Sequence, residues 1–170
     1  DIDINLYEEE TFVSCRIKVR AQGNKECSRT PLVLNGKELE LLEIKLDGNL
    51  LNMNEFVHDS ESLTISKVTD SFLLETKVRI HPEKNTSLEG LYRSGSIFCT
   101  QCEAEGFRRI TFFPDRPDVM ACFRTRIEAD VEKYPVLLSN GNPTGSGIMG
   151  NKRHWAVWED PFPKPSYLFA

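Results

Sequence analysis

The sequence predicts an all-β fold, either a β-sandwich or a barrel built from antiparallel strands. Three observations favour this class. Apolar and polar residues alternate along several segments, as they do in half-buried antiparallel strands. Turn residues separate these segments at intervals of roughly 8–12 residues, which is typical of sandwiches and barrels. Helical periodicity is scarce along the 170 residues.

The predicted strands differ in how clearly they alternate. The clearest alternation occurs in residues 13–21, 72–80 and 123–129. Weaker candidates for strands are residues 39–46, 63–68, 136–139 and 154–158. Turns are predicted at Asp47-Gly48-Asn49 and at Asp59-Ser60, and a long loop is predicted over residues 140–152.

Three other segments are predicted not to be strands. Residues 107–113 can form one or two helical turns after Gly106, and they must end before Pro114, which is incompatible with a helix interior. Residues 31–34 are predicted to form a short turn. Residues 160–165, in which every second residue from Pro161 is proline, are predicted to be a stiff, extended connector.

Size and charge restrict the classes of protein to which this chain can belong. A chain of 170 residues is near the common size of one globular domain, and it can bury roughly 70% of its unfolded surface. The net charge of −5 disfavours a nucleic-acid partner, since nucleic-acid-binding domains usually carry a basic stripe. No apolar run approaches the roughly 18 residues of a membrane-spanning helix, so no membrane span is expected.

The five cysteines indicate a reducing compartment. Their odd number and wide spacing do not suit the disulfide framework of a secreted domain. We therefore expect a cytoplasmic protein, with an organelle as the alternative. Cys99 and Cys102 form a C-x-x-C pair, but neither a second zinc-ligand pair nor a thioredoxin-like setting accompanies it. Two buried free thiols are expected there.

The chain alone offers no catalytic residue and no metal ligand that we can defend. Its histidines, His58, His81 and His154, form no H-E-x-x-H motif and share no ligand spacing. Residues 145–150 match G-x-G-x-x-G, but an alternating, strand-like segment follows where a phosphate-binding loop requires a helix. We interpret this glycine-rich segment as a hairpin loop and not as a nucleotide site.

Gln101 and Glu103 are the strongest candidate for a binding site. They flank Cys102, so both side chains would point to the same side of an extended segment. A side-chain amide and a carboxylate that converge on one point can bind the ammonium group of a ligand. A charge-assisted hydrogen bond of this kind contributes roughly 1.5–3 kcal/mol. The residues alone also allow a plainer interpretation, a surface glutamate in a loop.

Several stretches within residues 88–170 resemble, in order, the aminopeptidase N family of zinc aminopeptidases. They are Leu-Glu-Gly-Leu-Tyr-Arg-Ser from residue 88, Cys-Thr-Gln-Cys-Glu-Ala-Glu-Gly-Phe-Arg from 99, Phe-Phe-Pro-Asp-Arg-Pro-Asp from 112, Tyr-Pro-Val-Leu-Leu-Ser-Asn-Gly from 134 and Asp-Pro-Phe-Pro-Lys-Pro-Ser-Tyr-Leu-Phe-Ala from 160. Ser166 departs from the family pattern, which has cysteine there, and the loop of residues 142–152 is distinctive.

The resemblance implies that residues 1–170 are a single N-terminal domain, a saddle-shaped antiparallel β-sandwich packed on a thermolysin-like catalytic domain downstream. It implies that Glu103 fixes the free α-amine of a peptide substrate and that Gln101 lines the pocket for the first side chain. It also implies a cis peptide bond between Glu103 and Ala104, which places Ala104 in the substrate-binding segment.

The activity implied by the resemblance is the removal of N-terminal amino acids from peptides, with zinc bound by the catalytic domain. This segment alone is expected to be inactive, because the zinc-binding motif and the general base are not among its residues. Both ends of the sequence look interrupted, since it begins at Asp1 and stops within a strand-like run, so we expect part of a longer protein. The alternative is a stand-alone β-sandwich binding module without catalysis.

Overall fold

A computed structural model describes residues 1–21 and 31–170, and this part of the chain is built almost entirely from strands. The strands are β1 (Ile2–Leu6), β2 (Thr11–Arg20), β3 (Leu32–Asn35), β4 (Glu40–Leu46), β5 (Asn49–Leu50), β6 (Phe56–His58), β7 (Ser62–Ile65), β8 (Ser71–Ile80), β9 (Gly90–Ser94), β10 (Ile97–Gln101), β11 (Met120–Asp130), β12 (Asn142–Ile148) and β13 (Arg153–Pro165). Short 3-10 turns occur at Pro82–Lys84, Phe107–Arg109 and Ser166–Leu168.

Eight of these strands form one large sheet in the order β12-β13-β11-β1-β2-β8-β4-β5. Neighbouring strands are antiparallel except β1 and β11, which run parallel with Ile4 opposite Ile127. The N-terminal strand therefore lies inside the sheet, between β2 and β11. Two smaller sheets accompany it, one of β10 and β9 and one of β3, β7 and β6.

The hydrophobic core follows the alternation of the long strands. Val13, Leu74 and Val78 are completely buried, because each lies on the inward face of its strand. An aromatic cluster fills the end of the core nearest the β9–β10 hairpin. Phe107 lies at its centre, with its ring centroid 5.0 Å from those of Phe113 and Phe169. The 3-10 turn that carries Phe107 is thus fixed to the core.

The structure confirms the all-β class and most of the predicted strands. Residues 13–21, 72–80 and 123–129 lie in or overlap β2, β8 and β11, and residues 39–46 and 154–158 lie in or overlap β4 and β13. The prediction for residues 63–68 holds only to Ile65, where β7 ends. The predicted helical segment is a single 3-10 turn, which ends well before Pro114.

Four local predictions were wrong, and pairing with distant strands decided three of them. Residues 31–34 are not a turn, since β3 pairs with β7. The predicted loop at 140–152 contains β12, and the predicted connector at 160–165 continues β13, which pairs with β11 up to Pro165. Residues 136–139 form no strand; there the Leu137 carbonyl accepts a hydrogen bond from the Trp158 indole N–H, N···O 3.1 Å.

The glycine-rich segment at 145–150 belongs largely to β12 and to its hairpin with β13. Gly145 and Gly147 face the ring of Trp155, and a Cβ atom at Gly147 would lie 2.9 Å from its nitrogen. The missing side chains therefore make room for an indole ring. The segment is thus part of a hairpin, but residues 145–148 form one of its strands and not the loop that the sequence predicted.

Candidate functional site

The candidate site lies where the β9–β10 hairpin ends. These two strands are antiparallel, with Ser94 opposite Ile97 and Gly90 opposite Gln101. Gly95, in the connecting turn, has a φ of +59°, a conformation that glycine adopts readily. The hairpin thus brings Gln101 to its open end, beside the start of β9.

Glu103 begins a tight reversal of the chain directly after this strand. The Gly106 N–H donates to the Cys102 carbonyl, N···O 2.9 Å, which closes a turn over residues 103–105. Within it, the Glu103–Ala104 peptide bond is cis, as the resemblance implied. The expectation that Gln101 and Glu103 share one extended segment was therefore wrong, since the strand ends at Gln101.

The structure nevertheless brings the two predicted residues together. The side-chain amide of Gln101 donates to the backbone carbonyl of Glu103, N···O 3.3 Å. Gln101, Glu103 and Ala104 are all exposed. The turn therefore presents a carboxylate and an amide to the surroundings of the domain, and Gln101 also supports the backbone of the residue beside it.

Both ends of the turn are buried, so its exposed residues protrude from a fixed base. Cys102 is 2% exposed and Phe107 is 0% exposed. Burial raises the pKa of the Cys102 thiol to about 12, with the negative charge of Asp115 as a further cause. Cys102 is therefore an apolar anchor in its neutral form.

The predicted pair of buried thiols is only half right. Cys102 is buried as predicted, whereas Cys99 is half-buried in β10. Cys15, Cys99, Cys102 and Cys122 are all free. Cys27 lies outside the described residues.

An apolar groove of about 360 Å³ runs beside β10. One wall is β10 itself, and the other is the segment of residues 133–139, with the Phe98 and Tyr134 ring centroids 5.0 Å apart. Three large side chains are mostly exposed at this groove, Ile97 at 57%, Val136 at 69% and Leu138 at 68%. Sequence reasoning missed the groove because it depends on two segments more than thirty positions apart.

Glu8 links the β9–β10 hairpin to the wall of residues 133–139. Its carboxylate pairs with Arg93 of β9, N···O 3.1 Å, and with Lys133 of the other wall, N···O 3.2 Å. The Tyr134 hydroxyl donates to the same carboxylate, O···O 3.0 Å. This cluster therefore holds the hairpin against residues 133–139.

Ala170 also lines the groove. The Ser139 hydroxyl donates to its carbonyl, O···O 2.6 Å, and its own N–H donates to the Asn140 side-chain oxygen, N···O 2.6 Å. The last residue of the sequence is thus fixed beside the groove wall.

The histidines make local structural contacts. His81 donates to the Glu9 carbonyl, N···O 2.8 Å, and His154 donates to the Tyr134 carbonyl, N···O 2.7 Å. The ring of His58 lies edge-on to Phe112, with centroids 5.3 Å apart. Within residues 1–21 and 31–170, no group of three or more His, Cys, Asp or Glu residues could hold a metal ion. The same part of the chain contains no helix of the length and apolarity needed to cross a bilayer.

Comparison with known proteins gives one consistent result. The family model described as the Peptidase M1 N-terminal domain matches residues 1–168. Aminopeptidase N of Caulobacter vibrioides is 55% identical over 166 residues, which are 98% of this chain and 19% of that protein. The chain thus spans about a fifth of the length of this relative.

Two solved structures extend the comparison. Aminopeptidase A of Legionella pneumophila, in complex with aspartic acid, is 34% identical with a TM-score of 0.87; the match covers 99% of this chain and 20% of that chain. An M1 zinc metallopeptidase mutant of Deinococcus radiodurans, bound to a Tyr-Ser-Ala substrate, is 15% identical with a TM-score of 0.81; the match covers 99% and 39%. At the latter identity the likeness shows the fold alone.

Proposed function

The chain belongs to the M1 peptidase family through its N-terminal domain, and from this premise we propose that residues 1–170 form the substrate-binding N-terminal domain of a zinc aminopeptidase. The whole enzyme removes N-terminal amino acids from peptides. One observation carries the proposal: the exposed turn after β10, which presents Glu103 with the Gln101 amide on its backbone.

Glu103 binds the free α-amine of the peptide in this proposal. A carboxylate on a protruding turn can close one end of a groove, so that only the end of a chain fits. Once the groove is closed, a substrate without an ammonium group leaves the carboxylate unpaired, and that loss selects against it. Gln101 and Ala104 lie on either side of Glu103 along the surface, where Gln101 lines the pocket for the first side chain.

Zinc belongs to the rest of the enzyme. The described residues hold no set of ligands that fits the metal, so we assign it to a catalytic domain downstream in the longer polypeptide. In that domain zinc supplies Lewis-acid polarisation of the scissile carbonyl. The contribution of this chain is binding and orientation of the substrate, and the chain alone is inactive.

The apolar groove beside β10 is the surface on which the catalytic domain packs. Ile97, Val136 and Leu138 supply mostly exposed apolar area there, and apolar patches of this kind commonly mark contact surfaces. Any residues that follow Ala170 in a longer polypeptide begin beside this groove. Packing at this position places the second domain next to Gln101, the last residue of β10.

The alternative, a stand-alone binding module, has less support, because the chain spans about a fifth of its relative's length. The free thiols support a cytoplasmic location. Neither a nucleic acid nor a membrane span has a part in this proposal.

The decisive experiment replaces Glu103 in the full-length enzyme. Glu103→Gln and Glu103→Ala should lower kcat/KM on peptides roughly 10- to 150-fold, because a charge-assisted hydrogen bond is lost, while zinc content measured by elemental analysis stays normal. Asp118→Asn, which changes an exposed carboxylate of the ion pair with Arg116, is the matched control. An unchanged kcat/KM in both Glu103 variants would refute the role of Glu103.

A further inference from the structure

We infer that Arg108, Asp115 and Ser166 form a buried polar framework that positions the Glu103 turn, so that these residues control binding of the substrate amine without touching the substrate. This inference rests on the proposed function of Glu103. Its experimental consequence is separate, because it concerns residues other than Gln101, Glu103 and Ala104, which are proposed to bind the substrate.

Arg108 is the centre of the framework. Its Nε donates to Asp115 Oδ2, N···O 2.9 Å, and its Nη2 donates to the Asp115 carbonyl, N···O 3.0 Å. Its backbone N–H donates to the same Oδ2, N···O 3.2 Å. The Arg108 side chain is 15% exposed and that of Asp115 is 2% exposed, so the pair is shielded from water. Charge-assisted hydrogen bonds of this kind are stronger than hydrogen bonds between neutral groups.

The remaining guanidinium nitrogen of Arg108 reaches the turn. Nη1 lies 3.2 Å from Oε2 of Glu105, two residues after Glu103. Glu105 itself is 70% exposed, so this contact joins a largely buried guanidinium to the exposed part of the turn. Arg108 therefore connects the protruding residues with a buried carboxylate.

Asp115 is in turn held by two distant parts of the chain. The Ser166 hydroxyl, in the 3-10 turn after β13, donates to Asp115 Oδ1. Asn35, at the end of β3, accepts the Asp115 N–H on its side-chain oxygen, N···O 3.2 Å. Ser166 is 1% exposed. The carboxylate is thus fixed on one side by Ser166 and on the other by Arg108.

The framework also reaches the other end of the turn. The negative charge of Asp115 contributes to the raised pKa of the Cys102 thiol, so the carboxylate lies within electrostatic range of the residue between Gln101 and Glu103. Both ends of the turn are therefore close to one buried charge.

Ser166 supplies the hydroxyl that holds Asp115 Oδ1. A hydroxyl is a good hydrogen-bond donor and a thiol is a weak one. The serine therefore fixes Asp115 more firmly than cysteine can. Loss of the hydroxyl leaves one oxygen of a buried carboxylate unpaired.

The test uses the full-length enzyme with Ser166→Ala and Glu105→Gln, each in the native background and in the Glu103→Gln background. Asp118→Asn, in an exposed ion pair of the same segment, is the control.

In the native background each variant should lower kcat/KM about fivefold by raising KM, because Glu103 loses its orientation. Ser166→Cys should restore part of the loss. In the Glu103→Gln background the same changes should have almost no effect, since the framework acts through Glu103.

The possible outcomes separate the two proposals. If Glu103→Gln alone leaves kcat/KM unchanged, the proposed function fails. If Glu103→Gln impairs the enzyme but Ser166→Ala and Glu105→Gln do not, or if their effects multiply fully with that of Glu103→Gln, the framework is only structural. Because Glu105 is exposed, its variant gives an answer even where Ser166→Ala lowers the yield of folded protein.

Discussion

Gly90 and Gly106 meet backbone to backbone, with no room for a side chain on either residue. A Cβ atom at Gly106 would lie 2.7 Å from the Gly90 nitrogen and 2.2 Å from the Gln101 carbonyl oxygen. A Cβ atom at Gly90 would lie 2.8 Å from the Gly106 carbonyl oxygen. This contact packs the backbone at the end of the Glu103 turn directly against the start of β9.

The first prediction is that Gly106→Ala destabilises the protein by about 3 kcal/mol, because backbone atoms cannot move aside for the added methyl group. The φ of −79° at Gly106 suits alanine, so the effect is steric alone. Urea unfolding measures it. Gly150→Ala, where a Cβ atom meets nothing within 4 Å, is the control. Equal stability of the two variants would show that the glycine contact is not required.

The second prediction concerns substrate choice. In the full-length enzyme, Gln101→Ala should change the ratio of kcat/KM between small and large N-terminal residues by about tenfold, because we propose that Gln101 lines the pocket for the first side chain. A panel of aminoacyl amide substrates measures the ratio. Asn142→Ala removes an exposed amide from β12 and should leave the ratio unchanged. A Gln101 variant that slows all substrates equally would contradict the pocket role.

The third prediction concerns the apolar groove. In the full-length enzyme, Leu138→Asp should destabilise the proposed interface with the catalytic domain by about 3 kcal/mol or more, because a charge would be buried there without a partner. Thermal unfolding and limited proteolysis detect the separation of the domains. Ile148→Asp is the control, because Ile148 is 83% exposed on β12 and does not line the groove. Normal unfolding of the Leu138 variant would place the catalytic domain elsewhere.

The fourth prediction is a loss of stability at alkaline pH. Burial raises the pKa of the Cys15 thiol from 9.0 to about 11, so the folded state keeps the proton that the unfolded state releases. The stabilisation is complete below the unfolded pKa and is lost as the pH rises through the folded one. Between about pH 8 and about pH 10.5, Cys15 should account for roughly 1–2 kcal/mol of lost stability.

Urea unfolding of Cys15→Ala at both pH values checks this expectation. The variant should be less stable than the native protein at the lower pH, yet lose less stability on going to the higher one. Cys122→Ala, which removes an exposed thiol, should keep the native dependence on pH. The same pH dependence in all three proteins would rule out Cys15 as the source.

The sequence predicted those parts of the fold that local alternation controls. Strand β8 alternates along its whole length and was found, whereas β1 is five residues long and depends on partners in β2 and β11. Strand β12 has glycine where an indole ring packs, so its sequence resembles a loop. Local patterns cannot show such long-range pairing.

The sequence proposed residues for the candidate site but did not predict the shape of the turn that carries them. The resemblance identified Gln101 and Glu103, while the residues alone left Glu103 as an ordinary surface glutamate. The reversal after Cys102 depends on the Gly106 N–H and on contact with Gly90, which is distant in sequence. The contact between Arg108 and Asp115 likewise requires the chain to fold back, so no local sequence pattern predicts it.

The parallel pairing of β1 with β11 has a consequence for biosynthesis. Strand β1 leaves the ribosome before β2 and β11, and β2 can pair with it soon afterwards, but the other edge of β1 has no partner until β11 has been made. An uncovered edge strand readily pairs with foreign chains. During translation the edge of β1 that later pairs with β11 is therefore unpaired and prone to aggregation. The rate of elongation and binding by a chaperone determine how long this edge remains exposed.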